Sequence, residues 1–198
     1  NTALGVDVFA ALTSGDNNTA VGFAALDANT TASNNTAVGK SSLGANTTGA
    51  SNVAVGDGAF NANTTASNGV AVGCEALKSN TNADQNTAIG YQSIYSNTTG
   101  SQNTAVGYQS LYRNTNSTNT AVGSQALYNN QSGNTNVAMG QRAAYTNNSG
   151  DYNVALGVQS LYLNSSGNNN VAVGHRSLYN NTAADNTAVG KEALTANT

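Results

Sequence analysis

Few residues in this 198-residue chain could carry out catalysis or bind a metal. It has one histidine, His175, and one cysteine, Cys74, and the two lie far apart in sequence. The segment Gly56-Asp57-Gly58 lacks the strand and helix that flank a phosphate-binding loop. The nine acidic residues share no single position of the repeat described below, whereas a calcium-binding β-roll needs a recurrent Asp. We therefore expect no enzyme activity, no cofactor and no metal site.

Charge and composition exclude further classes. The net charge is −3 with only six scattered basic residues, which argues against nucleic-acid binding because phosphates require clustered Lys and Arg. A single cysteine excludes a disulfide within the chain and a multi-cysteine zinc site. We find no apolar stretch approaching the ~20 residues of a membrane span and no recognisable signal peptide. Membrane insertion is therefore not expected.

The N-x-[ST] sequons of the chain are candidate glycosylation sites. They carry little weight, because 34 Asn and 24 Thr generate such triplets by chance. The acceptor residues would include Asn17, Asn29, Asn34, Asn46, Asn63, Asn97, Asn116, Asn147, Asn164 and Asn180.

An internal repeat dominates the sequence. N-T-A-V-G or a close variant begins at Asn1, Asn18, Asn35, Asn52, Gly69, Asn86, Asn103, Asn119, Asn136, Asn153, Asn170 and Asn186. The spacing is 17 residues, and twice 16, with no linker or change of composition. We number positions from each start, and "column 3" denotes the residues at the third position of all repeats. Column 3 is always Ala, column 5 always Gly, and columns 4 and 9 are apolar.

Seventeen residues are too few for a helix-pair repeat, and Gly and Asn disfavour helix. Short strands separated by Gly- and Asn-rich corners fit better. We predict an all-β fold, a single β-solenoid (β-roll) over residues 1–198 with twelve coils of 17 (twice 16) residues. One strand would cover positions 1 to 4 and a second positions 6 to 10. At about 4.8 Å per coil the rod would be about 57 Å long.

Alternation along the first strand suggests which side chains face inward. Column 4 holds the larger apolar residues, so we expect columns 4 and 9 to line the core. Column 3 would then point outward, and its invariant Ala suggests either packing against another chain or a thin core that admits only methyl groups. Both interpretations stay open. The candidate interchain residues are Ala88, Ala105, Ala121, Ala138, Ala155 and Ala172.

Columns 1 and 12 are almost entirely Asn. Identical amides stacked at the coil spacing can hydrogen-bond from coil to coil and satisfy the polar groups at the corners. We therefore predict structural amide ladders in these columns.

The N-T-A-V-G and N-V-A-V-G units resemble the head repeats of YadA-type trimeric autotransporter adhesins, and similar repeats in phage tail fibres and bacterial surface fibre proteins. The resemblance spans the chain, at one pentapeptide per coil, but the adhesin repeat is shorter. It implies a left-handed roll, a trimer or other homo-oligomer, and an extracellular role in a cell-surface filament or virion fibre. It also implies a host glycan or protein receptor. Both end coils look like interior coils, so we expect a segment of a longer fibre or end-to-end joining.

Column 10 changes character along the chain. Small or charged residues occupy the first five coils, and tyrosine occupies the next six: Tyr95, Tyr112, Tyr128, Tyr145, Tyr162 and Tyr179. An outward stripe of this kind could stabilise the rod by ring stacking, contact neighbouring chains, or bind sugars.

A structural fibre or adhesin segment is the function we expect. A carbohydrate-binding surface fibre is one alternative. An ice-binding solenoid is another, although Val interrupts the Thr residues of column 2 in five coils.

Overall fold

The computed structural model describes residues 1–197, and within them it contains fourteen short β-strands and no helix. The strands are β1 Thr2–Leu4, β2 Thr19–Val21, β3 Thr36–Val38, β4 Val53–Val55, β5 Val70–Val72, β6 Thr87–Ile89, β7 Thr104–Val106, β8 Thr120–Val122, β9 Val137–Met139, β10 Val154–Leu156, β11 Val171–Val173, β12 Asn180–Asn181, β13 Thr187–Val189 and β14 Ala196–Asn197.

Twelve of these strands form one parallel sheet, one strand from each coil. They are ordered β1 to β11 and then β13, and each pairs with its sequence-equivalent residues, as in Ala105 with Ala121. Strands β12 and β14 form a separate two-stranded sheet. The predicted β-solenoid with a repeat of about 17 residues is therefore confirmed.

Hydrogen bonds between coils continue beyond the sheet. Within coil 7 the Thr104 amide donates to Asn119 in the next coil at 2.9 Å, and the Gly107 amide donates to Ile89 in the previous one at 2.7 Å. Past the strand, the Leu111 amide donates to Ala126 at 3.0 Å. Short strands suffice because the turns are also held to both neighbouring coils.

The predicted second strand at positions 6 to 10 is wrong. Columns 7 and 9 adopt left-handed backbone conformations in every coil, as at Gln109 (φ 50°) and Leu111 (φ 49°). An extended strand cannot contain such residues, and the segment is a turn instead. This turn directs the side chains of both positions 8 and 9 inward, so Ser110 and Leu111 are fully buried.

The predicted faces of the first strand are also wrong. Column 3 points inward, and the six alanines proposed for interchain packing are 0% exposed: Ala88, Ala105, Ala121, Ala138, Ala155 and Ala172. Column 4 points outward, with Ile89 40% and Met139 45% exposed. The narrow coil interior already holds Leu from column 9 and Asn from columns 1 and 12, so the strand can contribute only a methyl group. The prediction that column 9 lines the core is confirmed.

Glycine in column 5 is required by its conformation and by close approach. Gly107 has φ 136°, and an added Cβ would lie 2.7 Å from the carbonyl carbon of Gly123 in the next coil. A side chain would therefore be strained and would clash with backbone that cannot move independently.

Two neighbouring coils deviate from the core pattern through a matched pair of residues. Phe60 takes the place of Leu in column 9, and Gly69 takes the place of Asn in column 1. A Cβ on Gly69 would lie 2.4 Å from the Phe60 ring, so the larger ring fills the space that the missing Asn side chain leaves. The amide of Gly69 still donates to the side-chain oxygen of Asn52 at 2.8 Å.

We predict that this pair is energetically coupled. Gly69→Asn alone should overpack the core and destabilise the fold by about 1–3 kcal/mol. Adding Phe60→Leu should recover most of that loss, because it restores the pattern of the other coils. Urea unfolding of the two single variants and the double variant measures the coupling. Additive effects would contradict it.

Candidate functional site: a tyrosine ladder and an open sheet face

The outward-pointing columns fall into three groups. Columns 2 and 4 form the outer surface of the long sheet, which we call the sheet face. The second group follows the Gly corner and comprises columns 6, 7, 10 and 11. The third group, the return segment, leads to the next coil and comprises columns 13, 14, 16 and 17. The charged residues lie in the second and third groups, and columns 2 and 4 contain none.

The six tyrosines of column 10 form a continuous stack, which we call the tyrosine ladder. Successive ring centroids from Tyr95 to Tyr179 are 5.1, 5.0, 5.1, 5.3 and 5.0 Å apart, and the interplanar angles are 3–12°. Each ring is half-buried. Such stacking, at about the coil spacing, is the self-stabilising arrangement that was one of the three predicted roles.

The stack also limits what the ladder can bind. Each inner ring has both faces against neighbouring rings, and cations lie over the two end rings. The Nζ atom of Lys78 is 5.5 Å from the Tyr95 centroid, and the guanidinium of Arg176 is 5.4 Å from that of Tyr179. A sugar that stacks on a ring face therefore has no open inner ring, and only ring edges and hydroxyl groups face outward.

Side-chain hydrogen bonds in column 7 run parallel to the tyrosine ladder. Gln92 donates to Glu75 at 2.8 Å, Gln109 donates to Gln92 at 2.9 Å, and Gln125 donates to Gln109 at 3.2 Å. Arg142 extends this chain by donating to Gln125 at 2.9 Å. These polar groups are largely used within the rod, which fits a stabilising role.

An open groove of about 320 Å³ lies where the ladder ends, beside Asp57, Cys74 and Lys40. Lys78 donates to Glu75 across 2.5 Å at its edge. Hydrogen bonds from Gln92 and from Lys78 hold the pKa of Glu75 below its usual value, and the bond to Glu75 raises the pKa of Lys78. The groove contains charges of both signs, and the thiol in it has no histidine nearby in the repeat.

The Asn columns are buried amide ladders, as predicted. In column 12, Asn130 donates to Asn114 at 2.9 Å and to the Gly133 carbonyl at 2.8 Å, and Asn147 donates to Asn130 at 2.8 Å. In column 1, the side-chain oxygen of an Asn accepts the backbone amide at the same position of the next coil, as when the Asn136 amide donates to Asn119 at 3.0 Å. Among residues 1–197, no buried side-chain nitrogen or oxygen lacks a hydrogen-bond partner.

These ladders bury most of the predicted sequons. Six acceptor residues are 0% exposed: Asn29, Asn46, Asn63, Asn97, Asn147 and Asn164. Their amides are inaccessible to a glycosylating enzyme in the folded chain. Asn17, Asn34 and Asn180 are exposed, and Asn116 is half-buried.

The residues that could do chemistry remain dispersed. His175 and Cys74 are exposed in column 6, six coils apart. Over residues 1–197, no three His, Cys, Asp or Glu side chains come together in a group that could hold a metal ion. Throughout the same range no helix is long and apolar enough to cross a membrane.

The sheet face is the feature that sequence reasoning missed. Its outer side chains are Thr or Val in column 2 and Val, Leu, Ile or Met in column 4. They run through twelve coils as a surface two side chains wide. The sequence did contain a signal for this arrangement. Columns 1 and 3 lie on the same side of the strand because their positions differ by two, and both columns hardly vary, which indicates that this side points inward.

Fold and site together define a parallel β-solenoid with one apolar outer surface. Comparison of the chain with family models, curated proteins and solved structures gave no match.

We predict that the tyrosine ladder stabilises the rod. Changing Tyr112, Tyr128 and Tyr145 together to Ser removes four stacked contacts and should cost about 2–6 kcal/mol, at about 0.5–1.5 kcal/mol each. Thermal and urea unfolding measure the loss. Tyr152→Ser, at an exposed unstacked tyrosine, is the control and should stay within about 0.5 kcal/mol. Unchanged stability of the triple variant would contradict the prediction.

Proposed function

We propose that this chain is a rigid, non-catalytic rod segment of an extracellular fibre or adhesin, on a cell surface or a virion. The coil-to-coil bonding supports this, because each coil is held to both neighbours by backbone bonds, amide ladders and stacked rings. The pentapeptide resemblance to adhesin head repeats adds to it. Receptor contact, with a host glycan or protein, belongs to this proposal.

The sheet face is the observation that carries the proposal. It covers about 570 Å², from twelve strands at ~4.8 Å and three residues at ~3.3 Å. That lies toward the upper end of the patches, about 300–600 Å², that single-chain proteins expose. It has no charge over its whole length, so identical copies can meet there without like-charge repulsion. Two such faces together slightly exceed the ~1,000 Å² of a specific interface.

We therefore propose lateral homo-oligomerisation through the sheet face, as a trimer or as part of an end-to-end filament. The sheet face takes the interchain role that the sequence suggested for the alanines of column 3, because those alanines lie inside the coil. Covering it removes exposed Val, Leu, Ile and Met from water at about 25 cal/mol per Å².

The oligomeric state tests the proposal. Wild-type protein should sediment as an oligomer, and Val72→Lys with Val122→Lys should shift it to monomer by placing two charges on the sheet face. Circular dichroism should barely change, because both side chains point outward.

Leu163→Lys, at an exposed site away from the sheet face, is the matched control and should leave the oligomer intact. A wild-type chain that stays monomeric at high concentration would contradict lateral assembly.

Ice binding is a second candidate, favoured by the outward Thr and Val of the sheet face. β-Branched side chains have few χ1 rotamers, so their methyl groups form a regular array. This candidate predicts thermal hysteresis in wild-type protein and its loss in the Val72→Lys, Val122→Lys variant. A wild-type solution without thermal hysteresis removes it.

A further inference from the structure

The groove at the end of the tyrosine ladder is a gap in two columns that are filled elsewhere. In coils 6 to 8, columns 7 and 10 hold Gln and Tyr, whereas in coils 3 and 4 they hold Ser41 with Gly44 and Gly58 with Asn61. These short side chains leave a surface concavity of about 320 Å³. That volume lies at the lower end of the ~300–1,000 Å³ typical of small-molecule sites, so there is room for one small ring.

The charges that line this groove favour a neutral, polar ligand. Lys40 and Lys78 balance Asp57 and Glu75, so the groove offers no net attraction to an anion or a cation. Lys78 and Glu75 are already bound to each other at 2.5 Å. Within residues 1–197, neither Lys40 nor Asp57 belongs to an ion pair. Hydroxyl groups suit both, because a hydroxyl can accept from an ammonium and donate to a carboxylate.

An aromatic ring with one open face borders the groove. Tyr91, in column 6, is 45% exposed, and its upper face stacks on Tyr108 with the ring centroids 5.6 Å apart. Below it in the same column is Cys74, which lines the groove and has a side chain too short to cover a ring. The cations that lie over rings in residues 1–197 lie over three tyrosines of the tyrosine ladder, not over Tyr91. The lower face of Tyr91 is therefore free to stack on a ligand.

From this we propose that the groove binds one neutral hexopyranose unit of a glycan. One face of such a sugar carries C–H groups, which suit the electron-rich face of Tyr91. Its hydroxyl groups then face Lys40 and Asp57. The inference rests on the receptor contact proposed above and names its ligand class. It places the sugar below Tyr91 and not on the tyrosine ladder, whose inner ring faces are closed.

The single thiol of the chain provides the measurement. Cys74 is exposed in the groove, so a bound sugar should slow its alkylation by iodoacetamide. The probes are the methyl glycosides of glucose, galactose, mannose and N-acetylglucosamine. A single sugar in an open groove should bind with a Kd in the millimolar range. At about ten times that concentration, alkylation should slow roughly tenfold.

Moving the thiol gives the control for effects of sugar on the reagent. Cys74→Ser with His175→Cys places the thiol in the same column six coils away, at another exposed position. Its alkylation rate should not depend on the sugar.

Filling the groove should abolish the protection. Gly58→Gln gives coil 4 the column 7 residue of coils 6 to 8, where Gln92 adopts φ 51° compared with φ 62° at Gly58. A Cβ at Gly58 would lie 3.8 Å from the Glu75 side chain, an ordinary contact, so the fold should tolerate the change. Ala24→Gln, in the same column but outside the groove, is the matched control and should keep full protection.

A second pair of variants tests the aromatic face. Tyr91→Ala removes the ring that borders the groove and should weaken sugar binding about two- to tenfold. Tyr108→Ala removes the ring on the far side of Tyr91, so it should leave the Kd nearly unchanged. The two tyrosines are similarly exposed and stack on each other, so both variants lose the same aromatic contact within the rod.

The outcomes separate this inference from the proposal beneath it. Protection of Cys74 that Gly58→Gln abolishes and Tyr91→Ala weakens supports the sugar site. Alkylation that none of the four glycosides slows overturns it, as does protection that persists in Gly58→Gln. Methyl glucuronide binding more than about tenfold tighter than every neutral glycoside would show an anion site instead. All of these results leave lateral assembly standing, because sedimentation of the wild-type chain tests that separately.

Discussion

In the interior coils of this protein, inward side chains stack on the equivalent side chains one coil above and one below, as the amides of Asn114, Asn130 and Asn147 do. Backbone hydrogen bonds fix the coil spacing near ~4.8 Å, so no residue can reach past its neighbours for more room. Each inward column therefore needs a side chain that can pack against identical copies of itself at this spacing. Methyl groups, amides and branched aliphatic side chains can do so, which explains the uniform Ala, Asn and Leu columns. The deviation at Phe60 is accommodated only because Gly69 gives up its side chain in the adjacent coil.

The buried Asn side chains compensate for the thin core. A coil this narrow buries little apolar surface, and the corners leave backbone carbonyls inside, such as that of Gly133. Asn can donate to such a carbonyl and to the next amide at once, as Asn130 does at 2.8 and 2.9 Å. Since a buried unpaired polar group costs more than a hydrogen bond gains, full satisfaction matters more than the number of bonds. The same use of Asn removes six sequons from solvent.

Much of this architecture followed from the sequence, because a repeat in one dimension leaves few choices. The coil length, the parallel register, the amide ladders, the inward Leu column and the continuous tyrosine stripe could all be read from spacing. The size of the side chains alone could not show which side of the first strand points inward. Choosing Val106 over Ala105 for the interior assumed a roomy core, whereas the space is already filled by Leu111 and the amides. The left-handed residues at Gln109 and Leu111 had no signal, since neither type favours that conformation.

The three groups of outer columns differ in how completely their polar groups are used, and this difference directs the functional proposal. Beside the tyrosine ladder, amides and guanidinium groups bond one another from coil to coil. On the return segment, hydroxyls such as that of Thr47 bond the next coil. Only the sheet face combines exposed apolar side chains with hydroxyls that have no use inside the rod. A rod with one uncharged, largely apolar side is suited to contact along its length, because each coil adds the same small contribution.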